Sequence, residues 1–213
     1  MMISTSKNAI FIAGIKKGST SIENALASDF EIRVTETPIG KHMPYMTMTQ
    51  YFWWLFEQRP IENFFVFGVM RDPVDWFISL YNFHSGIGFS DRPLLSTQGM
   101  SIDDFITVWR RHNSWQMRPQ YQMFIGNENN IMVDFLLDFN KLQKHMDFVS
   151  FYLNLSAGSL TCDNKSSGAI NRSDLTDRHI DWILRVYSQD LNIYHNRVGK
   201  LLRSNKINHR LSG

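Results

Sequence analysis

Apolar residues run together over Ala9–Ala13 and again over Phe64–Met70, and each of these runs breaks into a polar turn followed by residues at helical spacing. A strand buried on both faces reads as such a continuous run. After the first run, Gly14 and Gly18 bracket Lys16 and Lys17 and permit backbone conformations or close approaches that a β-carbon would hinder. Ser19, Thr20 and Ser21 then offer hydroxyls and candidate N-caps ahead of Ile22, Ala25 and Leu26, which follow the i, i+3, i+4 spacing of a helix with one buried face. After the second run, Arg71 stands at the strand end, Asp72 can cap a helix with Pro73 at its first position, and Asp75 lies in the first turn. Val74, Phe77, Ile78 and Tyr81 keep the helical period, so Ser79 lies about two turns in, on a different side of the helix. Ile131–Leu137 is a third strand candidate, with Leu142, Met146, Val149 and Leu153 behind it as the stripe of another helix. This alternation predicts one α/β domain over residues 1–213, three layers deep, with a mainly parallel central sheet flanked by helices and a phosphate-loop-like corner after its first strand.

Between these units the pattern is weaker. Glu31–Thr35 alternates as a short strand would, and Thr47 with Gln50 has the spacing of a capping box ahead of the stripe Met48, Tyr51, Phe52 and Leu55. His42 falls in the loop before that helix. Periodicity stops from Ser85 to Gly99, a long glycine-containing loop of the kind that carries recognition. Ser101 and Asp104 then cap a helix over Ile102–Trp109, and a basic cluster follows, Arg110, Arg111, His112 and Arg118. That cluster reads equally as a cradle for an anionic acceptor and as a solvated helix end complementing the dipole. Residues 156–173 are rich in Ser, Gly and Asn and read as a loop, after which Ile180, Ile183, Leu184, Tyr187, Leu191 and Tyr194 give one long helical pattern.

Composition narrows the function classes. Lys plus Arg number 22 against 20 Asp plus Glu, so the chain lacks the charge of a nucleic-acid coat and any positive potential is local. The one cysteine, Cys162, excludes an internal disulfide and fits a reducing compartment. No run approaches the ~20 apolar residues of a membrane span, and no apolar signal core precedes the first strand. A cytoplasmic protein is the expectation, and no cysteine and histidine spacing points to zinc.

If both long apolar runs are parallel strands of one sheet, Lys16, Lys17 and Arg71 emerge at its carboxyl edge, where open α/β sheets bind ligands. Free N–H groups at the helix start after Gly18 favour phosphate there. These two stretches resemble the sulfotransferases that use 3'-phosphoadenosine 5'-phosphosulfate (PAPS). The family's first motif is a strand followed by Pro-Lys-Thr-Gly-Ser/Thr-Thr-Ser; Ile15-Lys-Lys-Gly-Ser-Thr-Ser21 is similar, with Ile15 in place of Pro and Lys17 in place of Thr. Its second motif is an Arg at a strand end with a Ser eight residues later, and Arg71-Asp-Pro-Val-Asp-Trp-Phe-Ile-Ser-Leu-Tyr81 is a close match. Lys41-His-Met-Pro-Tyr45 resembles the Gly-His-Val-Ser-Tyr-like segment that glycosaminoglycan 2-O-type enzymes carry between the two motifs. Ile170-Asn-Arg-Ser173 is similar to the family's late loop, which folds over the nucleotide.

The resemblance implies a sulfuryl transfer from PAPS to a hydroxyl of a carbohydrate acceptor, a glycan or glycolipid, with no metal and no nucleic-acid partner. It implies that Gly18, Ser19, Thr20 and Ser21 hold the 5'-phosphate, with Lys17 adding local charge, and that Lys16 stabilises charge on the leaving oxygen. Arg71 and Ser79 would hold the 3'-phosphate, Arg172 and Ser173 would make further cofactor contacts, and His42 would be the general base. Two other classes compete. A P-loop kinase or NTPase would use the same corner and could take Met132-Val-Asp134 as a Walker B end, but a Walker A places Lys after its second Gly, and both lysines here precede Gly18. A catalytically inactive nucleotide- or glycan-binding module on the same fold is the third.

Overall fold

A computed structural model describes residues 1–36, 40–156, 159–160 and 168–202. Cys162 and the tail beyond residue 202, like much of the loop over 156–173, lie outside them. In chain order the elements are strands β1 (Met2–Ser4) and β2 (Ala9–Ile12), helix α1 (Ser19–Ala25), strand β3 (Ile32–Arg33), helices α2 (Tyr45–Tyr51) and α3 (Trp53–Gln58), strand β4 (Phe65–Met70), and helices α4 (Pro73–His84), α5 (Ile102–Asp104) and α6 (Arg110–His112). Strand β5 (Phe135–Asp138) and helices α7 (Leu142–Leu153), α8 (Asp177–Val186) and α9 (Ser188–Arg197) complete the set. The chain divides into two compact units: residues 1–70, 120–160 and 193–202 form the first, and residues 71–119 with 168–192 the second.

The first unit is built on a five-stranded sheet in the order β3-β1-β2-β4-β5. Its centre is parallel, with Phe11 opposite Phe67 and Phe67 opposite Phe135, but β1 runs antiparallel to both β2 and β3. The sheet is therefore mixed, parallel through its centre as expected and antiparallel toward the β3 edge. No pattern in the chain announces β1, because three residues are too few to show a period. The expected strand at Glu31–Thr35 contracts to Ile32–Arg33 at the sheet edge, and that at Ile131–Leu137 begins only at Phe135.

Alternation sorts the strand side chains onto two faces. Ile3, Ile10, Ile12, Val66 and Leu136 pack with Met48, Phe52 and Leu55 of the α2–α3 region, with Phe124 and with Ile193 of α9. Met2, Ala9, Phe11, Phe65, Phe67 and Leu137 pack with Ile22 and Leu26 from α1 and its end, and with Met146, Val149 and Leu153 of α7. Both faces are buried, which is why the central strands carry no polar residue until their ends.

In the second unit α4 starts as its sequence predicts: Asp72 accepts from the N–H groups of Val74 at 2.9 Å and Asp75 at 3.2 Å, with Pro73 at the first position. Its buried rings make edge contacts, Trp76 with Tyr187 at 5.3 Å and Phe77 with Phe105 at 5.0 Å between centroids. The helix after Ser101 is not uniform, because one π-helical turn, Phe105–Trp109, separates α5 from α6. Three further expectations change. The first helix is capped by Gly18, not by a hydroxyl; α2 starts at Tyr45, so Thr47 is inside it and its box with Gln50 does not form; and the long carboxyl-terminal pattern breaks at Tyr187.

Candidate functional site

β2 ends in the loop that the glycines shape. Lys16 and Gly18 both take left-handed conformations, with φ of 56° and 70°. Gly18 is required twice over, since a β-carbon there would also stand 3.0 Å from Leu142 Cδ2 and 3.3 Å from Phe139 Cε2. Behind it the first turn of α1 presents the N–H groups of Ser19, Thr20 and Ser21, which have no acceptor within the helix. The two lysines have different surroundings. Lys17 turns inward and is 2% exposed, with Nζ 4.9 Å from the centroid of the Phe124 ring. Its stem occupies the space beside Gly14, where an added β-carbon would come within 2.5 Å of Lys17 Cδ. The Phe124 ring in turn fills the position of the missing side chain at Gly68, 2.4 Å from where a β-carbon would be. Lys16 is only half-buried.

His42 comes to the same strand end. Its Nδ1 lies 2.9 Å from the carbonyl oxygen of Ala13, the residue after β2. A carbonyl can only accept, so Nδ1 carries the proton and Nε2 keeps its lone pair. Burial pushes the imidazole pKa down to about 4, against the opposing effect of the Ala13 hydrogen bond and with the Lys41 charge adding to the drop. The ring is thus a neutral acceptor at pH 7.

Two residues with no assigned role complete this corner. Glu23 of α1, 6% exposed, pairs through Oε2 with Lys41 Nζ at 3.3 Å, and Lys41 Nζ also donates to Thr20 Oγ1 at 3.4 Å. This ties the segment bearing His42 to α1. Nothing local in the sequence reveals it, because the partners lie 18 residues apart and meet only through the fold.

The second unit holds the other predicted residues. Arg71 follows β4 directly, and Ser79 is buried within α4, 7% exposed. Arg172 Nη1 stands 3.4 Å from Asp75 Oδ1 and 3.8 Å from Asp72 Oδ1, so the late loop meets the start of α4. Asn82 fastens that loop with a reciprocal pair, donating to the Ile170 carbonyl at 2.8 Å and accepting from its N–H at 2.9 Å. Ser173 donates its hydroxyl to Asn171 Oδ1 at 2.6 Å, which leaves it as an acceptor toward any ligand. The basic cluster separates: Arg110 and Arg111 line a cleft with Trp182, whereas His112 and Arg118 are not among its lining residues.

Asp134 does not stand where a Walker B aspartate would. It precedes β5, at the opposite end of the parallel strands from the lysine loop, and its Oδ2 accepts from the N–H of Val66 near the start of β4 at 2.7 Å. Its visible work is to hold two strands in register. No family model, curated protein or solved structure matches the chain. Among the described residues no helix is long and apolar enough to cross a membrane.

Proposed function

We propose that this chain is a PAPS-dependent O-sulfotransferase acting on a hydroxyl of a carbohydrate, a glycan or glycolipid, in a reducing cytoplasmic setting, and that the corner after β2 is a P-loop-like phosphate site. The observation that carries the reading is the hydrogen bond between His42 and Ala13. Two stretches that stand apart in the sequence, the lysine loop and the histidine segment, meet at one strand end, and the ring keeps its basic nitrogen available.

The residues fit the donor's phosphates. A left-handed glycine followed by three N–H groups with no acceptor in the helix suits a 5'-phosphate. In the second motif Arg71 and Ser79 are assigned to the 3'-phosphate, with Arg172 and Ser173 as further contacts. Catalysis is then positioning and charge neutralisation, as in phosphoryl transfer. His42 Nε2 takes the proton of the acceptor hydroxyl as its oxygen bonds to sulfur. The bond from sulfur to the bridging phosphate oxygen breaks, and Lys16 stabilises the charge that grows on that oxygen. Lys41, bound to Thr20 and Glu23, holds the segment bearing His42 against α1.

A thermal-shift panel tests the reading. PAPS and adenosine 3',5'-bisphosphate at about 100 times their Kd should each add about 2.7 kcal/mol of stability and raise Tm, while ATP and GTP leave it unchanged. Equal shifts with ATP would instead mark a nucleoside triphosphate enzyme.

A further inference from the structure

The cleft in the second unit has a volume of about 420 Å³ and is lined by Ile106, Thr107, Arg110, Arg111, Ser114 and Trp182. That is the size of a small-molecule site and more than a bare inorganic ion fills. One of its two arginines is held against an aromatic ring. The Arg110 guanidinium carbon lies 5.3 Å from the centroid of the Trp182 ring, so the aromatic face keeps the planar cation in place and leaves its N–H edge available. Trp182 is itself fixed from behind, with edge contacts to Phe77 at 6.3 Å and Tyr187 at 6.4 Å. Among the described residues no carboxylate forms an ion pair with Arg110 or Arg111.

Part of the lining is irregular. Ile106 and Thr107 belong to the π-helical turn, a rare geometry that recurs at functional sites and here offsets Arg110 and Arg111 from the α5 register. Thr107 donates its hydroxyl to the Asp103 carbonyl at 2.7 Å, so toward the cleft its oxygen accepts. Arg111 and Ser114 are exposed at the rim. Two guanidinium forks, one hydroxyl acceptor and a second hydroxyl at the rim together match an oxyanion borne on a polyhydroxylated skeleton. A nucleobase does not suit, because Arg110 already covers a face of Trp182, the one aromatic ring among the described lining residues.

We infer that this cleft binds a sugar carrying a planar carboxylate or an ester sulfate, with the anion on Arg110 and Arg111 and the ring hydroxyls on Thr107 and Ser114. The inference rests on the cleft and holds whether or not the chain transfers sulfate. Ligand-observed NMR titrations of the full chain with D-glucuronate, glucose 6-sulfate, glucose and inorganic sulfate test it. Glucuronate or glucose 6-sulfate should bind at least about tenfold more tightly than both glucose and inorganic sulfate, and which of the two wins identifies the anion. R111Q, at an exposed position, should weaken that binding by about tenfold and S114A by a smaller factor, both without loss of fold. W182L should weaken it further, and if that variant does not fold, R111Q alone decides. Equal binding of glucose, equal binding of inorganic sulfate, or an R111Q chain that binds like the parent would each overturn the assignment.

Discussion

Replacing His42 should flatten the pH dependence of stability on the acid side of neutrality. In the folded chain burial holds the imidazole at about 4, against 6.5 when it is solvated. Between those values the unfolded chain carries a proton on His42 that the folded chain does not, so stability rises with pH across the window and falls as the medium is acidified from 6.5 toward 4. A tenfold change in proton affinity is worth about 1.36 kcal/mol, so the full loss from this one ring is about 3 kcal/mol. That is a large share of the roughly 5 to 15 kcal/mol that stabilises a domain of this kind. Lys41 and Glu23 act on the ring with opposite sign, Lys41 lowering and Glu23 raising its pKa, so neither charge by itself sets the outcome. Urea unfolding at several pH values between 4 and 7.5, for the parent and for His42→Gln, gives the comparison. The difference in unfolding free energy between the two should change by about 3 kcal/mol from one end of the window to the other. Parallel curves would show that the ring is not buried in its neutral form. In turnover the same variant should lose about 10² to 10⁴ in rate, with nucleotide affinity nearly intact.

The two lysines should separate in different assays. Lys16→Ala should lower kcat far more than it weakens PAPS binding, the mark of an interaction made mainly in the transition state, whereas Lys17→Ala, which empties the space between Gly14 and Phe124, should lower the denaturation midpoint. A Lys17→Ala chain with unchanged stability but the larger loss of turnover would reverse the roles. Gly68→Ala should cost about 1 to 3 kcal/mol by driving a methyl into the Phe124 ring, and combining it with Phe124→Leu should recover part of that loss in thermal unfolding. A Gly68→Ala chain as stable as the parent would show that the ring moves freely.

The legible parts of the fold are those in which one local rule dominates. β2 and β4 announce themselves because both of their faces are buried, and α4 because its cap, its proline and its first-turn acid agree. Local rules fail where two signals compete. The three hydroxyls after Gly18 each suit an N-cap, yet the left-handed glycine before them takes the position, because its neighbours Phe139 and Leu142 leave no room for a β-carbon. Thr47 and Gln50 have a capping spacing, but Pro44 precedes the helix and sets an earlier start. The break at Tyr187 is hidden because apolar spacing continues through it. At the site, the loop and His42 are readable as types in a pattern. The inward turn of Lys17 and the Glu23–Lys41 pair are not, because each depends on a neighbour distant in sequence.

The central claim is that the donor is a nucleotide with a phosphate at its 3' position, and calorimetry of adenosine 3',5'-bisphosphate against adenosine 5'-phosphate tests it most directly. The bisphosphate should bind more tightly by roughly 1.5 to 3 kcal/mol, the span of a hydrogen bond to a charged group, and Arg71→Ala should remove most of that difference while the 5'-phosphate binds as before. Equal affinity for the two nucleotides in the parent chain would contradict the account.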